Sequence, residues 1–238
     1  MHRNATYVGT ELELFRTAQN WKRYYGAYLQ PHLKGAILEV GAGLGGTTAS
    51  LCDGTQDQWV CLEPDPELSS QIDEQLSSDA LPSCCRSICG TIESLPSDSA
   101  FDSILYIDVI EHIEDDAAEL SRAAEWLKPG GHLLIVVPAN QWLFSPFDEA
   151  VGHFRRYSRK RLAAAVPNEL VKVRNIYLDS VGMCASAMNR FALKQTEPSL
   201  SQVQFWDRTI VPVSRILDRL LLYSIGKSVL GIWQRPTS

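Results

Sequence analysis

The sequence predicts an α/β fold built on a mainly parallel sheet. Short apolar runs recur along the chain, with helically spaced stretches between them. The first run, Ile37-Leu38-Glu39-Val40, opens directly into a glycine-rich turn, Gly41-Ala42-Gly43-Leu44-Gly45-Gly46. The second, Trp59-Val60-Cys61-Leu62, closes on an acid, Glu63. Strands that alternate with helices are joined by right-handed crossovers, which lay the strands parallel.

Residues 10–30 read as one helix, with Leu12, Leu14, Phe15, Trp21, Tyr24, Tyr25 and Tyr28 at roughly helical spacing and Pro31 closing it. Its aromatic face packs on the core, and the remaining edge could cover a ligand. Ala36–Val40 is the first strand, and a helix starts near Thr47. Strand two, Trp59–Leu62, leads to a helix over Pro66–Leu76, and Leu81–Ile88 is a weaker third strand entering Gly90-Thr91-Ile92-Glu93. Phe101–Ile107 is the fourth strand and Ala117–Leu127 the next helix. Lys128-Pro129-Gly130-Gly131 has the residues of a tight turn. His132–Val137, apolar after its first residue, reads as a strand buried on both faces. A polar, aromatic loop then runs through Trp142, Phe144, Phe147 and Asp148 to Gly152-His153-Phe154-Arg155-Arg156-Tyr157. Ser158 caps a short helix, Arg159–Ala165, before a sixth strand, Leu170–Leu178. Residues 183–225 form a largely helical insertion with Ile210, Val213, Ile216, Leu217, Leu220 and Leu221 on one face, and Ser228–Trp233 is the final strand.

A length of 238 residues suits one domain with an elaboration, and the net charge of −6 argues against a partner held through phosphates. The start, Met1-His2-Arg3-Asn4, lacks the apolar segment of a signal peptide, and no apolar run is long enough to span a bilayer. The six cysteines are therefore expected as reduced thiols in a cytoplasmic chain. Cys84, Cys85 and Cys89 cluster in sequence but match no common zinc spacing, and no histidine lies close by.

The glycines admit two ligands. Gly41, Gly43 and Gly46 satisfy the dinucleotide fingerprint, whereas Gly41, Gly43 and Gly45 give a tighter pattern. Glu39 would repel a pyrophosphate, but it would favour the sulfonium and ammonium of S-adenosylmethionine, directly or through water. An acid in the place of Glu63 can accept hydrogen bonds from both ribose hydroxyls.

Four segments together make the chain resemble the class I S-adenosylmethionine-dependent methyltransferases: Glu39-Val40-Gly41-Ala42-Gly43-Leu44-Gly45, Cys61-Leu62-Glu63-Pro64-Asp65, Asp108-Val109-Ile110-Glu111-His112-Ile113 and Leu127-Lys128-Pro129-Gly130-Gly131. The likeness covers residues 36–138 well and the rest more loosely. It implies a Rossmann-like, seven-stranded, mostly parallel sheet whose last strand is antiparallel. Residues 1–35 would form an N-terminal helical cap. Residues 36–182 and 226–238 would form the cofactor-binding core, with 183–225 inserted before the last strand as a lid or dimer element. By position, Glu39, Gly41, Gly43 and Gly45 would line the methionine and ribose end. Glu63, with Pro64 beside it, would hold the ribose, Thr91 and Ile92 would flank the adenine, and Asp108 would sit near the methionine ammonium or the acceptor.

On the acceptor side, Arg155, Arg156 and Tyr157 are expected to bind substrate, the arginines as bidentate partners for carboxylate or phosphate. The competing reading pairs those arginines with Asp148 and Glu149. His153 could deprotonate a hydroxyl, with His112 and Asp108 beside it as further catalytic candidates. Asp108, Glu111 and His112 fall at i, i+3 and i+4, so one helical turn would put them on one face. With His153 they could hold a divalent metal, although a metal-free pocket is favoured. The reaction expected is methyl transfer to a small-molecule or glycan acceptor, usually at oxygen, with a lipid-linked acceptor and a homodimer both compatible. The alternatives are a metal-dependent RNA 2′-O-methyltransferase and a nicotinamide-dependent oxidoreductase.

Overall fold

The computed structural model describes residues 11–190 and 198–237. Seven strands form one sheet in the order β3-β2-β1-β4-β5-β7-β6. They are β1 Ala36–Val40, β2 Gln58–Glu63, β3 Cys85–Cys89, β4 Phe101–Ile107, β5 Leu127–Pro138, β6 Val171–Leu178 and β7 Ser228–Gln234. The pairs among β1 to β5 are parallel, and β7 runs antiparallel to both β5 and β6. The α/β class, the seven strands and the antiparallel last strand are as expected. Helices α1 Glu11–Arg16, α2 Gln19–Leu29, α3 Thr48–Leu51 and α4 Pro66–Ser77 precede β3; α5 Asp116–Glu125 precedes β5. Helices α6 Pro146–Ala150 and α7 Arg159–Ala165 follow β5, and α8 Ser180–Met188, α9 Leu200–Phe205 and α10 Val211–Leu220 lie between β6 and β7.

Two apolar clusters cover the two faces of the sheet. One packs Ile104, Tyr106 and Leu133 with α5 and α7. The other packs Ile37, Trp59 and Leu105 under the aromatic face of α2. No helix among the described residues is long and apolar enough to cross a membrane.

Several elements depart from expectation. The helix expected over residues 10–30 is two helices, because Asp207 reaches across to cap the second. Its Oδ1 accepts from the Trp21 amide at 2.8 Å and its Oδ2 from the Asn20 amide at 3.2 Å. Lys128–Gly131 does not stand as a turn ahead of the fifth strand. Phe101 pairs with Leu127 but Ser103 with His132, so these residues bulge out of a longer strand. The third strand begins four residues later than Leu81. Residues 1–10 of the expected cap and 191–197 of the expected insertion lie outside the described residues.

The largest departure is α10. The face read as a lid or dimer element turns most of its apolar side chains to solvent, with Ile216 66%, Leu220 74% and the following Leu222 81% exposed, while Ile210 ahead of the helix lines the cavity. Beyond Val211 at its start, what α10 buries is polar. Ser214 donates to Asp179 Oδ1 at 2.6 Å, and Asp218 accepts from Tyr24 Oη at 2.9 Å and from the Asp179 and Ser180 amides at 2.6 and 2.9 Å. Asp179 in turn accepts from the Gly182 amide and from Trp206 Nε1. Carboxylates buried in this way need several donors to offset lost hydration. Here the donors are the Tyr24 hydroxyl and the amides at the start of α8, whose N-cap is Asp179.

Candidate functional site

The ends of β1 and β4 open onto one cavity of about 1040 Å³, which also reaches α1, α2, the loop after β5 and the helices before β7. Gly41 and Gly43 turn the chain at its floor with φ of +66° and +54°. A Cβ on Gly41 would stand 2.6 Å from Val109 Cγ2, so both backbone twist and close approach require glycine there. The amides of this turn point inward. Those of Gly41 and Ala42 donate to the Leu62 carbonyl, and that of Gly43 donates to Glu63 Oε2 at 2.7 Å. They form no cradle for a pyrophosphate, whose oxygens need several free backbone donors.

Glu63, expected to hold the ribose, is buried off the cavity lining; its Oε2 accepts from the Gly43 amide at 2.7 Å and its Oε1 from the Asp65 amide at 3.0 Å, and loss of hydration raises its carboxyl above the ordinary range. The role expected of Glu39 is corrected. Its carboxylate faces inward, accepting from Thr48 Oγ1 at 2.6 Å and Trp59 Nε1 at 2.8 Å, and burial pushes it up to about 7. It braces β1 against α3 and β2 rather than meeting a ligand. Thr91 is exposed and caps a short turn, Ile92–Ser94, while the Ile92 side chain is buried in the core; neither lines the cavity. Pro64 is exposed and also off the cavity lining.

One residue at this end escaped the sequence reading. Lys22 is buried on α2, lines the cavity, and places Nζ 2.8 Å from where a Cβ of Gly46 would be. Desolvation lowers its pKa, which Glu39 partly opposes. The available signal was a lysine flanked by Trp21, Tyr24 and Tyr25 on a helix whose buried face is aromatic.

At the far end of β4 the chain turns left-handed at Asp108, with φ +53°, and the next turn covers only Ile110–His112. The helical turn expected from Asp108 is therefore absent. Glu111, His112 and His153 still gather, each with a ligand-capable atom within 4.8 Å of the others, whereas Asp108 falls outside that group. Asp108 lines the cavity, and desolvation by the surrounding protein raises its carboxyl to about 6. Glu111 is 0% exposed with neither oxygen hydrogen-bonded among the described residues, and burial holds its carboxyl well above the ordinary range. His112 is pulled down to about 4 by desolvation and then by the charge of His153, whose ring lies 4.5 Å away edge to face.

His153 is oriented by a carboxylate. Its Nδ1 lies 2.8 Å from Asp148 Oδ1, while Nε2 faces Glu111 Oε1 at 4.0 Å. Asp148 is 0% exposed, and its bonds to His153 and Arg156 outweigh desolvation and hold its carboxyl far below the ordinary range. A carboxylate that stays ionised accepts only, so Nδ1 donates to it, and in the neutral ring Nε2 holds the lone pair.

The acceptor roles expected of Arg155 and Tyr157 are corrected by their contacts with Asp116, whereas Arg156 lines the cavity. Arg156 donates from Nε and Nη2 to the two Asp148 oxygens at 2.8 and 2.9 Å, leaving Nη1 buried beside the cavity without a partner. Arg155 pairs with Asp116 at 2.9 Å, and Tyr157 is buried in the core with its hydroxyl on Asp116 Oδ2 at 2.6 Å. The reading that paired an arginine with Asp148 holds for Arg156. The rest of the cavity wall is largely apolar, with Leu143, Phe147, Met188, Val203, Phe205 and Trp206.

Residues 38–135 match the family described as "Methyltransferase domain". The ubiquinone biosynthesis O-methyltransferase of Bradyrhizobium sp. (strain ORS 278) is 39% identical over 54 residues, which is 23% of this chain and only 21% of that protein. An S-adenosylmethionine-dependent methyltransferase from Clostridium acetobutylicum ATCC 824 superposes with a TM-score of 0.59 at 12% identity, covering 92% of each chain. The N-methyltransferase NodS from Bradyrhizobium japonicum WM9, solved with S-adenosyl-L-homocysteine, gives 0.56 at 12% identity over 94% of this chain and 88% of its own. At such identities the two superpositions speak for the fold.

Proposed function

We propose that this chain, which carries a class I S-adenosylmethionine-dependent methyltransferase domain, transfers the methyl group to a hydroxyl oxygen of a small-molecule or glycan acceptor, with His153 as the base. The observation that carries this reading is the Asp148–His153 pair, which turns a proton-accepting nitrogen into the cavity that the glycine turn floors.

Bound S-adenosylmethionine supplies a methyl carbon on a cationic sulfur. Around it, the turn of Gly41 and Gly43 would form the floor, Glu63 would reach the ribose from just behind that turn, and Lys22 would offer a cation to the methionine carboxylate. Asp108 can accept from the ammonium. His153 Nε2 would take the proton of an acceptor hydroxyl as the hydroxyl oxygen bonds to the methyl carbon, the carbon–sulfur bond breaking with its electron pair on the departing S-adenosylhomocysteine. Asp148 then stabilises the imidazolium, and Arg156 keeps Asp148 ionised and fixed. The apolar, aromatic wall suits an acceptor with an aromatic or alkyl body, which accords with the ubiquinone pathway named for the Bradyrhizobium relative. The inward-pointing amides count against the nicotinamide alternative, and the net charge of −6 against an RNA acceptor.

The test is mass gain of one methyl in metabolite extracts incubated with S-adenosylmethionine, repeated with His153→Gln. Loss of transfer by about 10²–10⁴-fold is expected, the range for a positioned base. Calorimetric affinity for S-adenosyl-L-homocysteine should stay unchanged. An undiminished rate would remove His153 from the chemistry, and no methyl gain in any extract would remove the acceptor class.

A second reading rests on Glu111. A buried carboxyl with both oxygens unpaired beside two imidazoles is the donor set of a divalent ion, and the Asp148 bond to His153 is the support such a ligand usually has. Glu111, His112 and His153 would be the ligands, and the ion would lower the pKa of the acceptor hydroxyl. Full activity in excess EDTA would dismiss it.

A further inference from the structure

The fold brings together three thiols that are scattered in the sequence. Cys52 ends α3, while Cys84 and Cys85 open β3, where Cys85 pairs with Trp59 at the start of β2. This is the end of the strands opposite Glu63 and the cavity. Cys52 Sγ lies 3.5 Å from Cys84 Sγ and 3.5 Å from Cys85 Sγ, and all three sulfurs lie within 4.8 Å of one another. Gln56 Oε1 stands 3.4 Å from Cys52 Sγ as an oxygen donor on the same side. Cys52 and Cys85 are buried and Cys84 half-buried, so the cluster lies just beneath the surface.

We propose that Cys52, Cys84 and Cys85 form a three-thiolate site for a thiophilic d¹⁰ cation, with Zn²⁺ as the occupant that charge favours. A tetrahedral zinc with bonds of about 2.3 Å sets its sulfurs about 3.8 Å apart; the two sides that meet at Cys52, 3.5 Å each, are within a few tenths of an ångström of that, and the third is within 4.8 Å. Each ligand exchanges its thiol proton for the metal, so binding releases protons and tightens as pH rises. Three thiolates around a divalent ion leave one negative charge and around a monovalent ion two, which favours Zn²⁺ over Cu⁺. Spacing alone could not reveal the site, because Cys52 is 32 residues from Cys84. Occupied, it would tie the helix that follows the glycine turn to the sheet edge.

The experiment uses the full chain, without an affinity tag, stripped of metal and kept reduced. Titration with Co²⁺ should give one equivalent of binding with an intense near-ultraviolet sulfur-to-metal band, removed by one equivalent of Zn²⁺. Cys84→Ser, at the most accessible of the three, should weaken binding by at least about tenfold and lose about a third of the band. Cys89→Ser and His153→Gln should leave the band intact. An ion held by Glu111, His112 and His153 carries no sulfur band, so the two sites cannot be confused. In the wild type, Zn²⁺ should also shield three of the six thiols from a thiol reagent. A folded wild-type protein with no sulfur band, or an undiminished band in Cys84→Ser, would overturn the site.

Discussion

Gly41 carries two constraints at once, a left-handed backbone with φ +66° and a neighbour, Val109, 2.6 Å from any Cβ. Gly41→Ala should lose about 2–3 kcal/mol in denaturant unfolding, from left-handed strain and overpacking together. Glu39 makes a different test. Its carboxyl rises from 4.5 to about 7 on folding, so the folded state holds the proton more tightly than the unfolded chain. The stabilising effect of that proton is complete below pH 4.5 and is lost as pH climbs to about 7. Glu39→Gln keeps an acceptor for Thr48 and Trp59, so wild type should fall behind the variant by up to about 3 kcal/mol across that window and match it below. Stability curves that stay parallel from pH 4 to 8 would contradict this. Glycines and strand-end acids such as Glu63 were legible because their requirement is local. Lys22, Cys52 and the partners of Arg155 were not, because each acquires its role from an element distant in sequence.

Among the elements, α10 shows where a periodic pattern misleads. Its apolar positions have ideal helical spacing, and the pattern correctly predicted a helix. The usual inference that the apolar stripe faces inward fails because the opposite stripe carries Ser214 and Asp218, whose partners lie on α2 and at the start of α8. Three hydrogen bonds to one buried carboxylate outweigh a stripe that solvent can tolerate. Asp218→Ala leaves the Tyr24 hydroxyl and two amides without their acceptor. It should cost about 3 kcal/mol or more, read by thermal or denaturant unfolding. Leu220→Ala, on the exposed stripe, should change stability by less than about 0.5 kcal/mol.

For the whole molecule, the cavity joins the cofactor half of the sheet to helices that arrive much later in the chain. A ligand on the glycine turn also meets α1, α2 and the segment around Trp206. S-adenosyl-L-homocysteine should therefore slow amide exchange in α2 and α9 as well as in residues 41–48, and at about 100 times Kd it should add about 2.7 kcal/mol of stability. Protection confined to the glycine turn would mean that the two halves respond separately. The parallel strands follow from alternation and handedness, whereas the antiparallel sense of the last strand came only with the family resemblance and its place in the sheet only with the structure. That placing has a consequence for the order of synthesis. β7 is the last strand to be made, yet it lies between β5 and β6. While the chain is growing, β6 has no strand to join, and β5 keeps one edge open until residues 228–234 arrive. A stop codon placed before Ser228 would not trim the molecule at its rim; it would leave the nascent sheet in two pieces, each with a bare edge free to pair with the next chain.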